Sequence, residues 1–463
     1  MTALHDMSAT ALHAAYAGGG LSPVEVAQSV IDHVRRWEPH LQASYAFDPD
    51  NALSMARASE ARWRRGAPAG ALDGVPVTIK ENIATRGVPT PLGTAATTLV
   101  PAADDAPPAA RLREAGAVFI GKTTMPDYGM LSSGLSSFHA LTRNPWDLGK
   151  NPGGSSAGAA AAAAAGYGPL HIGTDIGGSI RLPAGWCGVV GFKPSGGRVP
   201  IKPPYIGRVA GPITRTVTDA ALMMAALSRP DWRDATSLPY QALDWTALDI
   251  DLHGLRLGLL LDAGWGLPLA PEIAATVQAA ARVFEIAGAI VEPMVAFTTR
   301  EMADGINLFW RMRSWLDIAA LPPERRARVL PFIRDWVAAA EGFSAAQLFH
   351  GFSQMAVLRD AAVAACRGYD FVLSPVSPVP AFDATWAMPT NDPLRAMEHI
   401  AFTLPYNMSE QPALSIDCGH TSNGLPIGLQ IVGPRHDDLG VLRLARAWEQ
   451  LRPAPRAWPQ VPS

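Results

Sequence analysis

Two glycine-serine segments and one lysine carry the side-chain types that acyl transfer requires. The first segment is Gly153-Gly154-Ser155-Ser156-Ala157-Gly158. The second is Gly173-Thr174-Asp175-Ile176-Gly177-Gly178-Ser179-Ile180-Arg181. Glycine lets backbone approach a ligand closely or take a positive φ. A run of N–H groups from Ile176 through Gly177 and Gly178 to Ser179 can form a nest for an anion, such as the oxyanion of a tetrahedral intermediate. Ser179 then stands where a nucleophile belongs. A serine hydroxyl is a weak nucleophile until a base takes its proton. Neither segment holds a histidine, and His171, just ahead of the second, reads as a satisfied core or edge histidine of a strand. Lys80 ends the apolar run Gly74-Val75-Pro76-Val77-Thr78-Ile79. Burial lowers the pKa of a lysine, and the neutral amine can then serve as base. Taken alone, a lysine at a strand end reads more simply as a surface cation.

These residues need elements to hold them. Ser22 is placed to cap a helix, with Pro23 in its first turn and Glu25 completing a capping box. Val26, Val30, Ile31, Val34 and Trp37 then recur at helical spacing, and Pro39 is expected to end the run. Residues 75–79 read as a strand, 107–115 as a helix stopped by Gly116, and 117–120 as a buried strand. Residues 156–165 read as an alanine-rich helix. A strand over 255–260, a helix over 271–287 and a strand after Gly288 follow. Short apolar strands alternating with helices predict an α/β fold. Its core is a large, mixed, mostly parallel sheet covered by helices on both faces. Residues 302–355 differ: Phe309, Trp310, Trp315, Phe332, Trp336, Phe343, Phe349 and Phe352 mark a helical insertion over about 300–360. Such aromatics are first of all helix-packing core, and alternatively one wall of a substrate pocket. With no internal repeat and only short linkers, residues 1–463 are expected to form one domain.

Composition narrows the class. The chain has 463 residues, 48% of them hydrophobic and 17% charged, with a formal net charge of -3. That mix fills a core and is unlike a disordered chain. Basic clusters of the kind that bind nucleic acid are absent, as are apolar runs long enough for a bilayer. Residues 1–20 hold no Lys or Arg ahead of an apolar stretch, so no secretory signal is expected. Cys187, Cys366 and Cys418 are too few and too widely spaced for a disulfide scaffold or a thiolate metal site. These features predict a cytoplasmic protein without cofactor or metal, monomeric or homodimeric, acting on a small molecule.

The segments together resemble the amidase signature family. The resemblance rests on Gly74 to Asn82, Asn144-Pro145-Trp146, Pro152 to Ser156, Gly173 to Arg181, Phe192-Lys193-Pro194 with Gly197-Arg198-Val199, and Gly211 to Arg215. It is dense over 72–219 and returns more weakly in 371–380 and 412–433. It implies a Ser-Ser-Lys triad: Ser179 the nucleophile, Ser155 a bridging serine preceded by a cis peptide bond, and Lys80 the base. The resemblance also places Gly153, Gly154 and Arg181 as structural residues beside the site, with Asp175 and Arg181 bracing the loop. Tyr128, Gly129, Met130 and Leu131 are expected to line the acyl side, and Thr174 and Asp175 the substrate-facing rim. After Ser156 the family commonly has Gly-Gly-Ser, whereas this chain has Ala157-Gly158-Ala159. That departure bears on loop geometry and substrate preference.

Other readings compete. Gly154-Ser155-Ser156-Ala157-Gly158 also fits the nucleophile elbow of α/β-hydrolases, with Ser156 as an esterase nucleophile and His350, His399, His420 or His436 as base. That reading leaves Lys80 and the second segment unexplained. The family further includes the amidase subunit of tRNA-dependent amidotransferases, although Thr124 to Met130 and the aromatic insertion look more like free-standing amidases. Residues 128–135 bear no charge, which favours an uncharged aromatic or aliphatic amide, carbamate or ester. The family resembled includes urethanases and aryl acylamidases, and either subgroup fits the reading.

Overall fold

Residues 3–462 are described by a computed structural model. The first long helix, Pro23–Leu41, begins as expected: the Ser22 N–H donates to Glu25 at 2.9 Å and the Val24 N–H to the Ser22 hydroxyl at 3.0 Å. Pro39 does not end it. The helix runs through that residue and stops at Gln42, whose φ of 54° breaks the turn.

Eleven strands form one sheet: β1 Ser44–Tyr45, β2 Pro76–Lys80, β3 Val118–Thr123, β4 Leu170–Asp175, β5 Val190–Lys193, β6 Val209–Thr214, β7 Arg256–Leu259, β8 Ile290–Pro293, β9 Phe371–Pro375, β10 Ala413–His420 and β11 Pro426–Val432. Their spatial order is β1-β3-β2-β4-β6-β5-β10-β11-β9-β7-β8. The sheet is mixed, as expected, but not mostly parallel. Parallel pairing is confined to β2 with β3 and β4, and β7 with β8 and β9. Those strands are joined through helices such as Pro107–Glu114, Ala157–Ala165 and Pro271–Ile286. The central strands lack such crossovers; β10 and β11 are linked only by residues 421–425, a connection that permits antiparallel pairing alone.

Helices cover both faces. In β6, Ala210 belongs to a large apolar cluster that also takes in Val30, Val217, Phe284 and Trp448. Ile213 belongs to a second cluster, with Ala159, Ala163 and Ala184. Positions of opposite parity in one strand point to opposite faces. The helix Ala157–Ala165 is wholly buried, and its small side chains let it lie close against the sheet. At Gly158 an added Cβ would stand 2.5 Å from both the backbone nitrogen and the hydroxyl of Thr124. Residues 302–355 are helical as expected, within Arg300–Ala319, Pro331–Ala338 and Ala345–Cys366, with the short helix Pro323–Arg326 between the first two. No helix among the described residues is long and apolar enough to cross a membrane.

Candidate active site

The pairing Val77 with Leu170, Thr78 with His171 and Ile79 with Ile172 sets β2 and β4 side by side and parallel, with β4 running two residues beyond the end of β2 at the same edge. Lys80 thus leaves its strand beside Thr174, and the loop after β4 carries Ser179. Ligands of parallel sheets commonly bind at this edge. The first glycine-serine segment joins them: the Ser156 N–H donates to the Ser179 carbonyl at 3.1 Å, and the Gly154–Ser155 peptide is cis.

Lys80 has no exposed surface. Its Nζ lies 2.8 Å from Ser155 Oγ, 3.0 Å from Ser156 Oγ and 3.0 Å from Thr174 Oγ1. No carboxylate pairs with it among the described residues. Burial, seconded by the Arg208 charge, holds its pKa well below the ordinary 10.5, while Asp175 and Glu81 pull weakly the other way. Lys80 thus loses its proton more readily than an ordinary lysine, and because it is buried the surface-cation reading fails.

Ser155 and Ser179 line one cavity of about 290 Å³. No hydrogen bond joins Ser155 Oγ to Ser179 Oγ, so the chain holds the Lys80–Ser155 link ready-made and leaves the second link open. Such bonds often tighten only around a substrate. In the loop, the N–H groups of Ile176, Gly177 and Ser179 find no acceptor among the described residues. The expected nest is narrower by one member: the Gly178 N–H donates to Asp175 Oδ1 at 2.8 Å.

Asp175 is not free for substrate. Its carboxylate accepts from Gly178 and Ile180 N–H, from Asn407 Nδ2, and from Arg181 Nε and Nη2, both at 3.0 Å. Asp175 does line the cavity, as expected, but bracing the loop consumes the acceptor capacity of its carboxylate. Arg181 continues outward to the Thr403 carbonyl, Gln430 and Asn407. Thr174 lines the cavity, but its hydroxyl is engaged by Lys80 and by Asn82 Nδ2. Gly153 N–H donates to Asn151, and an added Cβ at Gly129 would stand 3.2 Å from Ser155 Oγ. Tyr128, Gly129, Met130 and Leu131 all face the cavity. Ala157 and Ala159 are buried in the helix start and do not reach it.

The Ser156 reading loses its geometry. Ser156 is fully buried; its hydroxyl donates to the Thr174 carbonyl and accepts from the Thr174 N–H, and no histidine among the described residues reaches it. His399 lies in the cavity wall against Ser132 Oγ, with burial driving its pKa down to about 3. His171 is buried between Thr78 and the Gly168 carbonyl, a core histidine as expected.

Several cavity residues come from segments distant from the two glycine-serine loops. Trp310 reaches in from the helix Arg300–Ala319, and an added Cβ at Gly177 would meet its ring at 3.2 Å. Trp336 lines the cavity too, so both readings of the aromatic insertion hold, one for each part of it. Phe349, by contrast, is 74% exposed. Arg208, Arg313 and Asp317 also line the cavity. The expectation of a site without a cation rested on 128–135 alone and does not hold, because these charges arrive from distant segments.

A buried lysine with a lowered pKa, a serine beside it and a second serine at the end of a glycine-rich loop are thus set together at one cavity. The chain belongs to the amidase family, whose model matches residues 25–442. It is 36% identical to a glutamyl-tRNA(Gln) amidotransferase subunit of Myxococcus xanthus, over 96% of this chain and 97% of that one. Its fold superposes on a bacterial aryl acylamidase of the amidase signature family with a TM-score of 0.90, at 32% identity over 97% of each chain. The 6-aminohexanoate cyclic dimer hydrolase gives a TM-score of 0.86 at 26% identity over 100% of both chains.

Proposed function

We propose that this chain hydrolyses an amide C–N bond through an acyl-enzyme on Ser179. The observation that carries this reading is the 2.8 Å contact between Ser155 Oγ and a lysine whose pKa burial holds well below its ordinary value. Ser179 Oγ attacks the carbonyl carbon as its proton passes to Ser155 and the Ser155 proton passes to Lys80 Nζ. The oxyanion is received by the N–H groups of Ile176, Gly177 and Ser179. Lys80 returns the proton through Ser155 to the amide nitrogen, the C–N bond breaks and the amine leaves. Water then repeats the sequence against the acyl ester, releasing the acid and restoring Ser179. The same steps apply to esters and carbamates, so a panel of the three linkages, with Ser179→Ala as control, tests the reading. Accumulation of an acyl adduct on Ser179, seen by mass spectrometry, is the expected result. Hydrolysis surviving in Ser179→Ala sinks it.

A second reading has specific support. The relative from Myxococcus xanthus is one component of an amidotransferase and matches nearly end to end. On that reading the chain releases ammonia from an amide inside a complex. The aryl acylamidase and the cyclic dimer hydrolase support the free-standing reading instead. Size-exclusion chromatography with an amidase assay separates the two: turnover by the isolated chain favours the free-standing enzyme, and turnover only with partner proteins favours the complex.

A further inference from the structure

The cavity holds two cationic side chains that neither take nor give a proton in the proposed catalytic steps. Arg208 precedes β6 and is partly buried at the cavity wall. Its guanidinium makes one hydrogen bond, from Nη1 to the Pro203 carbonyl at 2.9 Å. No carboxylate lies within ion-pair distance of it among the described residues. Arg313 lines the same cavity from the helix Arg300–Ala319, over the Tyr205 ring at 4.1 Å, and it too forms no ion pair among them. The two cations oppose each other: burial first, and Arg313 second, bring the pKa of Arg208 down to about 10. Among the described residues, Asp317 is the one acid facing this end of the cavity whose carboxylate is not already bound, and it pairs with neither arginine. Two guanidiniums against one carboxylate leave a net positive wall beside the reacting serines. A partly desolvated guanidinium such as that of Arg208, with a like charge near it and no counter-ion, is costly when empty and is relieved by an anion. A planar guanidinium fork matches the two oxygens of a carboxylate.

Resting on the hydrolytic reading above, we propose that the substrate carries a carboxylate apart from the bond that is cleaved, and that Arg208, assisted by Arg313, binds it. The apolar wall of Tyr128, Met130, Leu131, Trp310 and Trp336 then takes the hydrocarbon between the carboxylate and the reacting carbonyl. The substrate class is an amide of an organic acid, amphiphilic rather than neutral throughout.

Two matched pairs test this. Glutaryl-p-nitroanilide against pentanoyl-p-nitroanilide puts the acid on the acyl side; para-acetamidobenzoate against acetanilide puts it on the leaving side. In one pair, the carboxylate member should have a kcat/KM higher by roughly ten- to a hundredfold, expressed mainly in KM and shrinking with added salt. Arg208→Gln should bring that pair to within about twofold, and Arg208→Lys should restore part of the difference. Arg313→Gln, at an exposed position where folding is not at stake, should reduce the preference without abolishing it. A wild-type chain that favours the neutral member of both pairs overturns the proposal, as does an Arg208→Gln chain that folds and keeps the full preference. If none of the four compounds is hydrolysed, calorimetry on Ser179→Ala decides: tighter binding of a carboxylate member supports the proposal, and equal binding overturns it. Hydrolysis that persists in Ser179→Ala while keeping the charge preference would sink the Ser179 mechanism and leave the anion site standing.

Discussion

The Ser156 N–H donates to the Ser179 carbonyl at 3.1 Å, so the two glycine-serine segments are fastened together one residue away from Ser155. This backbone clamp sets Ser155 between Lys80 and the Ser179 loop without using the hydroxyl of either reacting serine.

The three serines should therefore separate cleanly on mutation. Ser179→Ala is expected to lower kcat by about three to six orders of magnitude. Its melting temperature should not change, because Ser179 Oγ has no hydrogen-bond partner among the described residues to lose. Ser155→Ala should be nearly as damaging, since it removes the hydroxyl that links Lys80 to the nucleophile. Ser156→Ala keeps the backbone clamp and should retain measurable turnover, reduced by the loss of the Lys80 contact, while losing about 1 kcal/mol of stability through the lost bonds to Thr174. A Ser156→Ala protein as inactive as Ser179→Ala would contradict this assignment.

Lys80 fixes the sign of the pH dependence. A base must be unprotonated, and burial holds Lys80 well below 10.5. Activity should be full above its lowered pKa and fall as pH drops through it, with one proton taken up. A kcat/KM profile that stays flat from about pH 5 to 9 would argue against Lys80 as base.

The Asp175–Arg181 pair is a brace whose loss should be felt in both stability and rate. Asp175→Asn leaves Arg181 buried without its counter-charge, at an expected cost of about 3–5 kcal/mol in denaturant unfolding. Burial pushes the Asp175 carboxyl up, but Arg181, Lys193 and Asn407 together hold it below 3.8. A depressed carboxyl pKa stabilises the fold above its unfolded value. That contribution is kept at neutral pH and lost as pH falls below 3.8 toward the folded pKa. The acid limb of wild-type stability should therefore flatten in Asp175→Asn.

Gly178 should tolerate no side chain. Its φ is 127°, and an added Cβ would stand 2.6 Å from Thr403 Oγ1 and 2.7 Å from a Leu182 methyl. Gly178→Ala is expected to cost at least about a hundredfold in kcat by displacing the neighbouring Gly177 and Ser179 N–H groups. Turnover within a few-fold of wild type would show that the loop is not held this tightly.

Local pattern made much of this legible. The capping box at Ser22 to Glu25, the apolar strand ending at Lys80 and the alanine-rich helix after Ser156 all rest on neighbours in the chain. Pro39 misled because a proline within a helix can be carried when the surrounding helix is packed; Trp37 and Leu41 on either side of it are both buried. The parallel content was overread because helix-strand alternation stops in the middle of the sheet, where short links force antiparallel pairs.

The charge of the cavity was illegible for a different reason. Arg208, Arg313 and Asp317 sit in segments distant from the two glycine-serine loops, and only folding brings them to the wall beside Ser179. The sequence by itself singled out the candidate reacting groups, since the serines and glycines of the two loops and the lysine at the end of β2 carry their chemistry and backbone freedom locally. The tertiary structure decided that Lys80 is buried rather than exposed, that Asp175 and the Gly178 N–H serve each other rather than a substrate, and that the pocket is cationic. Each of these depends on desolvation and on contacts between residues far apart in the chain, which no local pattern encodes.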